Sequence, residues 1–182
     1  MESFAKAREF VEHRGYVRVR QKSIAALKLA SIDDPIKDII EGFAELPHCF
    51  TLQCCYGHFL CTPEQDLHNF EPIPLGFSGR ATYRIAYIAF CLENSRRGKA
   101  LRQSLARLPA IDPDYIQFGS ADWFWERWVN SYALQVEPKA HMLKDEAVLG
   151  PVEARHTQAV RDHFFGELRV LLAAELNENE TG

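Results

Sequence analysis

Residues 50 to 59 read FTLQCCYGHF, and the side chains in and beside this stretch are of the kinds that bind metals and attack electrophiles. His48, Cys49, Cys54, Cys55, His58 and Cys61 gather thiols and imidazoles into one short segment. Zinc takes sulfur and nitrogen ligands in tetrahedral sets, commonly as C-x₂₋₄-C pairs from two separate turns. Cys55, His58 and Cys61 are spaced so that one turn gathers them, but no second pair follows: His68 falls in a loop-like region and Cys91 inside an apolar run. A nucleophilic thiolate needs a cation or a helix start beside it. His58 lies three residues from Cys55, and no acid stands near it in sequence to orient the ring. The third reading is of small thiols packed at a strand end, since free cysteine is among the most buried residue types. As a strand, residues 50–54 would send Cys54 and Cys55 to opposite faces. The expectation is therefore a strand exit presenting ligand-facing groups, with no metal. Cys55, Gly57 and His58 are its candidate binding residues. Gly57 permits a positive φ or a close backbone approach. His58 can hold an anion when protonated or donate a neutral hydrogen bond.

A second concentration of chemistry lies in NSRRGKALR. Asn94 or Ser95 suits a helix N-cap, yet Arg96, Arg97, Lys99 and Arg102 crowd an end whose dipole favours anions. An anion seated there would resolve the conflict, so Arg96, Arg97 and Lys99 are the candidate phosphate-binding residues, against the plainer reading of a solvated basic face. Gly79 and Arg80 in FSGRA, and the run Arg14, Arg18, Arg20 and Lys22, add cations whose spatial relation the linear order leaves open. ADWFWERW sets Trp123 and Trp125 in alternation, which on a strand would place both indoles on one face. Exposed, such a pair stacks on bases; core packing is the favoured reading for aromatics.

The elements that must position these groups follow from periodicity. Residues 3–13 carry Phe4, Ala7, Phe10 and Val11 at helical spacing and end before Gly15, so a helix is expected there. Ser23 to Ala30 reads as a short helix or turn. In DDPIKDIIEGFAEL, Asp33 or Asp34 caps, Pro35 takes the first helical position, and Ile36, Ile39, Ile40 and Phe43 form the apolar face. Pro47 ends that helix and CFTLQC follows as a strand. Residues 62–82 read as a long loop, a length that often has a job. A central strand is expected over 83–93, then a helix with Leu101, Leu105 and Leu108 inward. Strands at YIQFG and WVNSYALQVEP come next. A long helix over 151–176 closes the chain, with Val152, Ala159, Val160, Phe164, Leu168, Leu171 and Leu172 inward. This order predicts one α+β domain over residues 1–176, its mixed or antiparallel sheet carrying amphipathic helices and a long C-terminal helix. Residues 177–182, NENETG, are expected as a disordered acidic tail. A doubly wound nucleotide fold is not indicated, because GxGxxG and GxxxxGK[ST] are both absent.

The whole chain narrows the class further. Its 182 residues suffice for one core without disulfide staples. A formal charge of −4 argues against a general nucleic-acid coat, though not against a local patch. No apolar run approaches membrane-span length, and the mixed-charge N-terminus lacks the apolar centre of a secretory signal. A cytoplasmic protein with reduced cysteines and no membrane partner is expected.

The stretch from Lys22 to Phe59 resembles the N-terminal region of the tRNA wybutosine-synthesising protein three family. In that family a Lys-Ser pair, an acidic residue before an amphipathic helix, and a YFTTSSCSGR-type segment occur at similar spacing. Lys22 and Ser23 match the pair, and Asp33, Pro35 and Ile36 open the helix. Phe50 and Thr51 fall on the Phe-Thr, and Cys55 and Gly57 on the Cys and Gly. Gln53, Cys54 and Tyr56 stand where the family has serines, and His58 replaces its arginine. The resemblance implies a compact α+β fold and methyl transfer from S-adenosylmethionine to a modified guanosine of tRNA. The function expected is that of a divergent methyltransferase-like relative binding a nucleotide-like ligand or tRNA, with S-adenosylmethionine as the cofactor; no general base is named. The alternative is a non-catalytic binding or regulatory module that shares the fold.

Overall fold

The computed structural model describes residues 4–66, 68–142 and 144–180. Eight strands and five α-helices follow one another along the described residues. They are β1 (Phe4–Ala5), α1 (Tyr16–Leu27), α2 (Lys37–Glu45), β2 (Cys49–Cys55), β3 (His58–Leu60), β4 (Ala81–Arg84), β5 (Ala86–Leu92) and α3 (Arg96–Leu105). They continue with β6 (Ile116–Ala121), α4 (Asp122–Arg127), β7 (Ser131–Val136), β8 (Glu146–Leu149) and α5 (Pro151–Glu180). The strands form a five-stranded sheet in the order β1-β6-β7-β5-β2 and a three-stranded sheet in the order β3-β4-β8. Every pairing is antiparallel.

The pleat of β5 explains how the larger sheet is covered. Ile88, Phe90 and Leu92 point into the main core with Ile39, Ile40 and Phe43 of α2 and Phe164, Leu168 and Leu172 of α5. Ala89 and Cys91 point the other way. On that second face Tyr16 of α1 packs on Phe50 and Cys91, and Phe124 of α4 packs on Ala89 and Ala133. α1 and α4 cover the second face only in part, and a cavity described below opens beside α4.

The expected single strand over 83–93 breaks at Ile85, and its halves lie in different sheets. Opposite that break, β2 gives way to β3 at Tyr56-Gly57, so both chains cross from one sheet to the other at a common corner. The apolar run alone does not register this break, because both halves are buried.

Residues 3–13 are not the expected helix. The described part, from Phe4, is a short strand on β6 followed by an extended strap up to His13. The strap's backbone groups are claimed by distant side chains. Arg8 N–H donates to Ser120 Oγ at 3.1 Å and Val11 N–H to Asn130 Oδ1 at 2.9 Å. Asn130 Nδ2 donates to Val11 O at 2.9 Å, and Tyr132 Oη to Arg8 O at 3.0 Å. These tertiary bonds satisfy the groups a helix would have satisfied internally. The helix instead begins at Tyr16 and takes in Arg18, Arg20 and Lys22 of the basic run and the segment from Ser23 to Leu27.

Within ADWFWERW, residues 122–127 form α4, which separates the two indoles; Phe124 is buried as core packing predicts, whereas Trp123 is exposed. Along α5 the buried positions are Ala154, Thr157, Val160, Arg161, Phe164, Phe165, Leu168 and Leu172, a clean helical stripe. Val152 and Ala159 fall off that stripe and are exposed, contrary to expectation. The same helix continues to Glu180, four residues into the segment expected as a disordered tail; residues 181 and 182 lie outside the described residues.

Candidate functional site

At the end of β2, Cys55 pairs with Tyr87, and the chain turns through Tyr56-Gly57 into β3. Gly57 takes φ +88°, and a Cβ there would stand 2.8 Å from Ala86 Cβ and 3.1 Å from Tyr83 Oη. Only glycine fits this corner. The Tyr83 hydroxyl locks it from below, donating to Val136 O at 2.7 Å and accepting from Ala86 N–H at 3.0 Å.

His58 is 3% exposed, with Nε2 3.4 Å from Asp33 Oδ2 and Nδ1 3.4 Å from the Asn69 carbonyl. Asp33 Oδ2 also accepts the Tyr56 N–H at 2.7 Å. Cys55 is half-buried, its Sγ accepts the Gly57 N–H at 3.4 Å, and its thiol lies beside Asp33 and His58. The Asp33 hydrogen bond, then that of Cys55, pushes the His58 pKa up to about 9 against the pull of burial. Burial works against the Asp33 carboxylate, yet hydrogen bonds from His58 and Tyr56 N–H hold its pKa below the ordinary value.

The guanidinium of Arg161 braces the corner from α5. It donates to Gly57 O at 2.7 Å and stacks over Tyr56 at 4.0 Å, while Asp162 holds its other nitrogens. The loop after β3 lies over the exit: Phe70 sits 5.3 Å from the His58 ring and His68 at 5.9 Å, edge-on. Of the expected ligand-facing residues, Gly57 and His58 are therefore buried and Cys55 is half-buried.

The cysteines do not assemble as a group. Cys49 and Cys91 are buried with thiol pKa values raised by burial, and burial pushes Cys54 up to about 12. His48 is buried beside Cys49 with neither ring nitrogen hydrogen-bonded. Among the described residues, the side chains close enough to share one ion are Asp33, His58 and His68.

The basic helix start is a separate place. Ser95 caps α3, accepting Gly98 N–H at 3.2 Å, and Arg96 and Lys99 are exposed. Arg97 reaches Glu178 O at 3.4 Å. Arg102 is committed to structure, donating to Arg8 O at 2.9 Å and lying over Phe10 and Tyr132. Arg20 is too, capping the α2 carbonyls of Ala44 and Leu46 and bonding Cys49 O. α3 follows Leu92, which pairs with Cys49, whereas Cys55 lies six residues further along β2. At ~3.3 Å per residue the two expected binding groups stand about 20 Å apart, at opposite ends of the sheet.

The open face of the larger sheet holds a cavity of about 160 Å³ beside α4. Ala121 and Ala133 keep its floor low, Phe4, Trp123 and Phe124 wall one side, and Gln53, Tyr87, Gln135 and Glu137 supply polar groups. Gln135 Nε2 donates to Glu137 Oε1 at 2.6 Å, and Gln117 Nε2 to Glu137 O at 3.1 Å. Trp123 is 45% exposed at the rim, with the Arg127 guanidinium 3.2 Å over its ring. A second cleft of about 400 Å³, between α1 and β2, shares Gln53 and Tyr87 with the first. The two shared side chains are joined, Tyr87 Oη donating to Gln53 Oε1 at 3.2 Å. The signal for this cavity was present but faint: Gln135 and Glu137 are polar residues at alternate positions in an otherwise apolar strand run.

Fold and site together define an α+β domain of two antiparallel sheets that meet at a glycine corner, with a cavity on the open face of the larger one. No family model matches the chain, and no curated protein does. Among solved structures, it is similar to the PH1069 protein from Pyrococcus horikoshii, with a TM-score of 0.50 and 12% identity over 88% of this chain and 96% of that one. At that identity the likeness is one of fold alone. No helix among the described residues is long and apolar enough to cross a membrane.

Proposed function

We propose that the chain binds a nucleotide-like ligand on the open face of its larger sheet, with S-adenosylmethionine as the first candidate. The carrying observation is the cavity that pairs an aromatic wall, Trp123 and Phe124, with the linked side chains of Gln135 and Glu137 over a floor of alanines. Its volume is below the roughly 300–1,000 Å³ of drug-sized pockets, which suits one planar ring system. The adjoining α1–β2 cleft offers room for the remainder of an elongated ligand, and Ser23, one of the residues carrying the family resemblance, lines it. The ring stacks against the aromatic wall, while the Glu137 carboxylate accepts from an exocyclic amine or a ribose hydroxyl. If methyl transfer follows, the protein's part is to hold donor and acceptor in line. Arg96, Arg97 and Lys99, standing apart from the cavity, would then meet the backbone phosphates of a tRNA.

The burial of Gly57 and His58 favours a second reading, a binding module without turnover in which the strand-exit motif serves the fold. Calorimetry with S-adenosylmethionine and with adenosine tests both. Saturable binding near one per chain, weakened about tenfold or more in Gln135→Leu and Trp123→Ala, supports the proposal. Binding of neither compound sinks it. Binding without methylation of unfractionated tRNA selects the second reading. For the phosphate contacts, RNA affinity should fall with salt, and the slope should flatten when Arg96 and Lys99 become alanine.

A further inference from the structure

Asp33, His58 and His68 come from three separate segments: the turn before α2, the first position of β3, and the loop that follows it. One ligand atom from each lies within 4.8 Å of the others. We propose that they form a site for a divalent transition metal of the zinc class, distinct from the sheet-face cavity, with Cys55 beside it.

The geometry within the cluster is compatible with an ion taking the place of the His58–Asp33 ion pair. His58 Nε2 and Asp33 Oδ2 stand 3.4 Å apart. A direct charge-assisted bond between them would close to ~2.7–2.9 Å. Two ligands of a tetrahedral zinc, each at ~2.0–2.1 Å, stand about 3.3 Å apart, whereas neighbouring ligands of an octahedral ion at ~2.1 Å stand about 3.0 Å apart. The His58–Asp33 spacing of 3.4 Å lies near the tetrahedral value, and His68 is within 4.8 Å of both.

The outer contacts also match those of ligating groups. A metal-binding histidine donates its other ring N–H to a carbonyl or carboxylate, which aims the free nitrogen at the ion. His58 Nδ1 faces the Asn69 carbonyl at 3.4 Å in this way. A ligating carboxylate is itself hydrogen-bonded, and Asp33 Oδ2 takes the Tyr56 N–H at 2.7 Å. A buried His–Asp pair would need no third member. His68 is exposed, yet the loop brings its ring edge-on to His58, 5.9 Å between centroids. Three protein ligands leave the fourth tetrahedral position for water or substrate, the arrangement of reactive zinc sites. Two imidazoles and one carboxylate suit zinc and cobalt over magnesium or calcium.

The test is equilibrium dialysis and calorimetry of Zn²⁺ and Co²⁺ against the full chain after chelator treatment. The expected result is one equivalent per chain, with His68→Ala and Asp33→Asn each weakening binding at least about tenfold. His163→Ala, an exposed histidine on α5, serves as control and leaves the affinity unchanged. His68 is exposed and asparagine is isosteric with Asp33, so circular dichroism of both variants separates a lost ligand from a lost fold. Absence of stoichiometric binding, or wild-type affinity in folded His68→Ala and Asp33→Asn, overturns the proposal.

Discussion

Gly57→Ala is the substitution whose cost the structure defines best. The residue sits at φ +88°, where an L side chain costs about 1–2 kcal/mol. The added methyl would also meet Ala86 Cβ at 2.8 Å, with Ala86 N and Tyr83 Oη at 3.1 Å. None of these neighbours is the free end of a flexible chain, because Tyr83 is bonded to both Val136 O and Ala86 N. Overpacking of that kind adds about 1–3 kcal/mol. The sum, about 2–5 kcal/mol, is a large part of a usual stability of ~5–15 kcal/mol. For a chain of this size it lowers Tm by about 4–20 °C. Thermal and urea unfolding by circular dichroism read the effect directly. The double variant Gly57→Ala/Ala86→Gly divides it, since removing the facing Cβ restores the packing part and leaves the backbone part. A loss below about 1 kcal/mol, or no coupling between the two positions, would refute the account of the corner as a steric and conformational requirement.

Two further outcomes are expected. Replacing Arg161 with Met takes a buried donor from the Gly57 carbonyl and a stacked cation from Tyr56, and should cost about 2–5 kcal/mol in urea unfolding; a loss under about 1 kcal/mol would show that the brace is dispensable. His48 is buried, and desolvation, with Arg97 second, holds its pKa below 6.5; Glu93 and Arg20 also act on it, and Glu175 Oε2 lies 3.9 Å from its Nε2, too far for a hydrogen bond. Because the folded chain takes up this proton less readily than the unfolded one, stability should fall as pH drops through 6.5 toward the depressed value and lose nothing more from this group below it. His48→Leu should flatten that fall between pH 7 and 5 in urea midpoints, and an unchanged slope would assign the dependence elsewhere.

Elements governed by short-range rules were legible before any coordinates. The apolar stripe of α2, with Pro35 at its start and Pro47 past its end, reads directly from spacing, as do the Ser95 cap and the core leucines of α3. β2, β5, β6, β7 and the body of α5 follow from the same periodicities. The strap before α1 defeated that method, because its helical spacing is local while its bonding partners, Ser120, Asn130 and Tyr132, come from more than a hundred residues away. β3 and β8 are too short for a period to register.

The candidate sites divide in the same way. Composition marked Cys55-Tyr56-Gly57-His58 as a turn in need of a glycine, and the positive φ at Gly57 agrees. It did not show that Asp33, read as a helix cap, would turn away from its helix to bond Tyr56 N–H and face His58, nor that the following loop would bury the ring. Sequence by itself determined α2, α3, the body of α5 and the strands β2, β6 and β7, because capping, period and proline placement act over a few residues. Only the tertiary structure decided that the basic α3 start and the strand exit lie at opposite ends of the sheet, and that a cavity with an aromatic wall and a few polar groups opens beside α4. Sheet register and helix docking follow from the packing of apolar faces far apart in the chain, which no local spacing encodes.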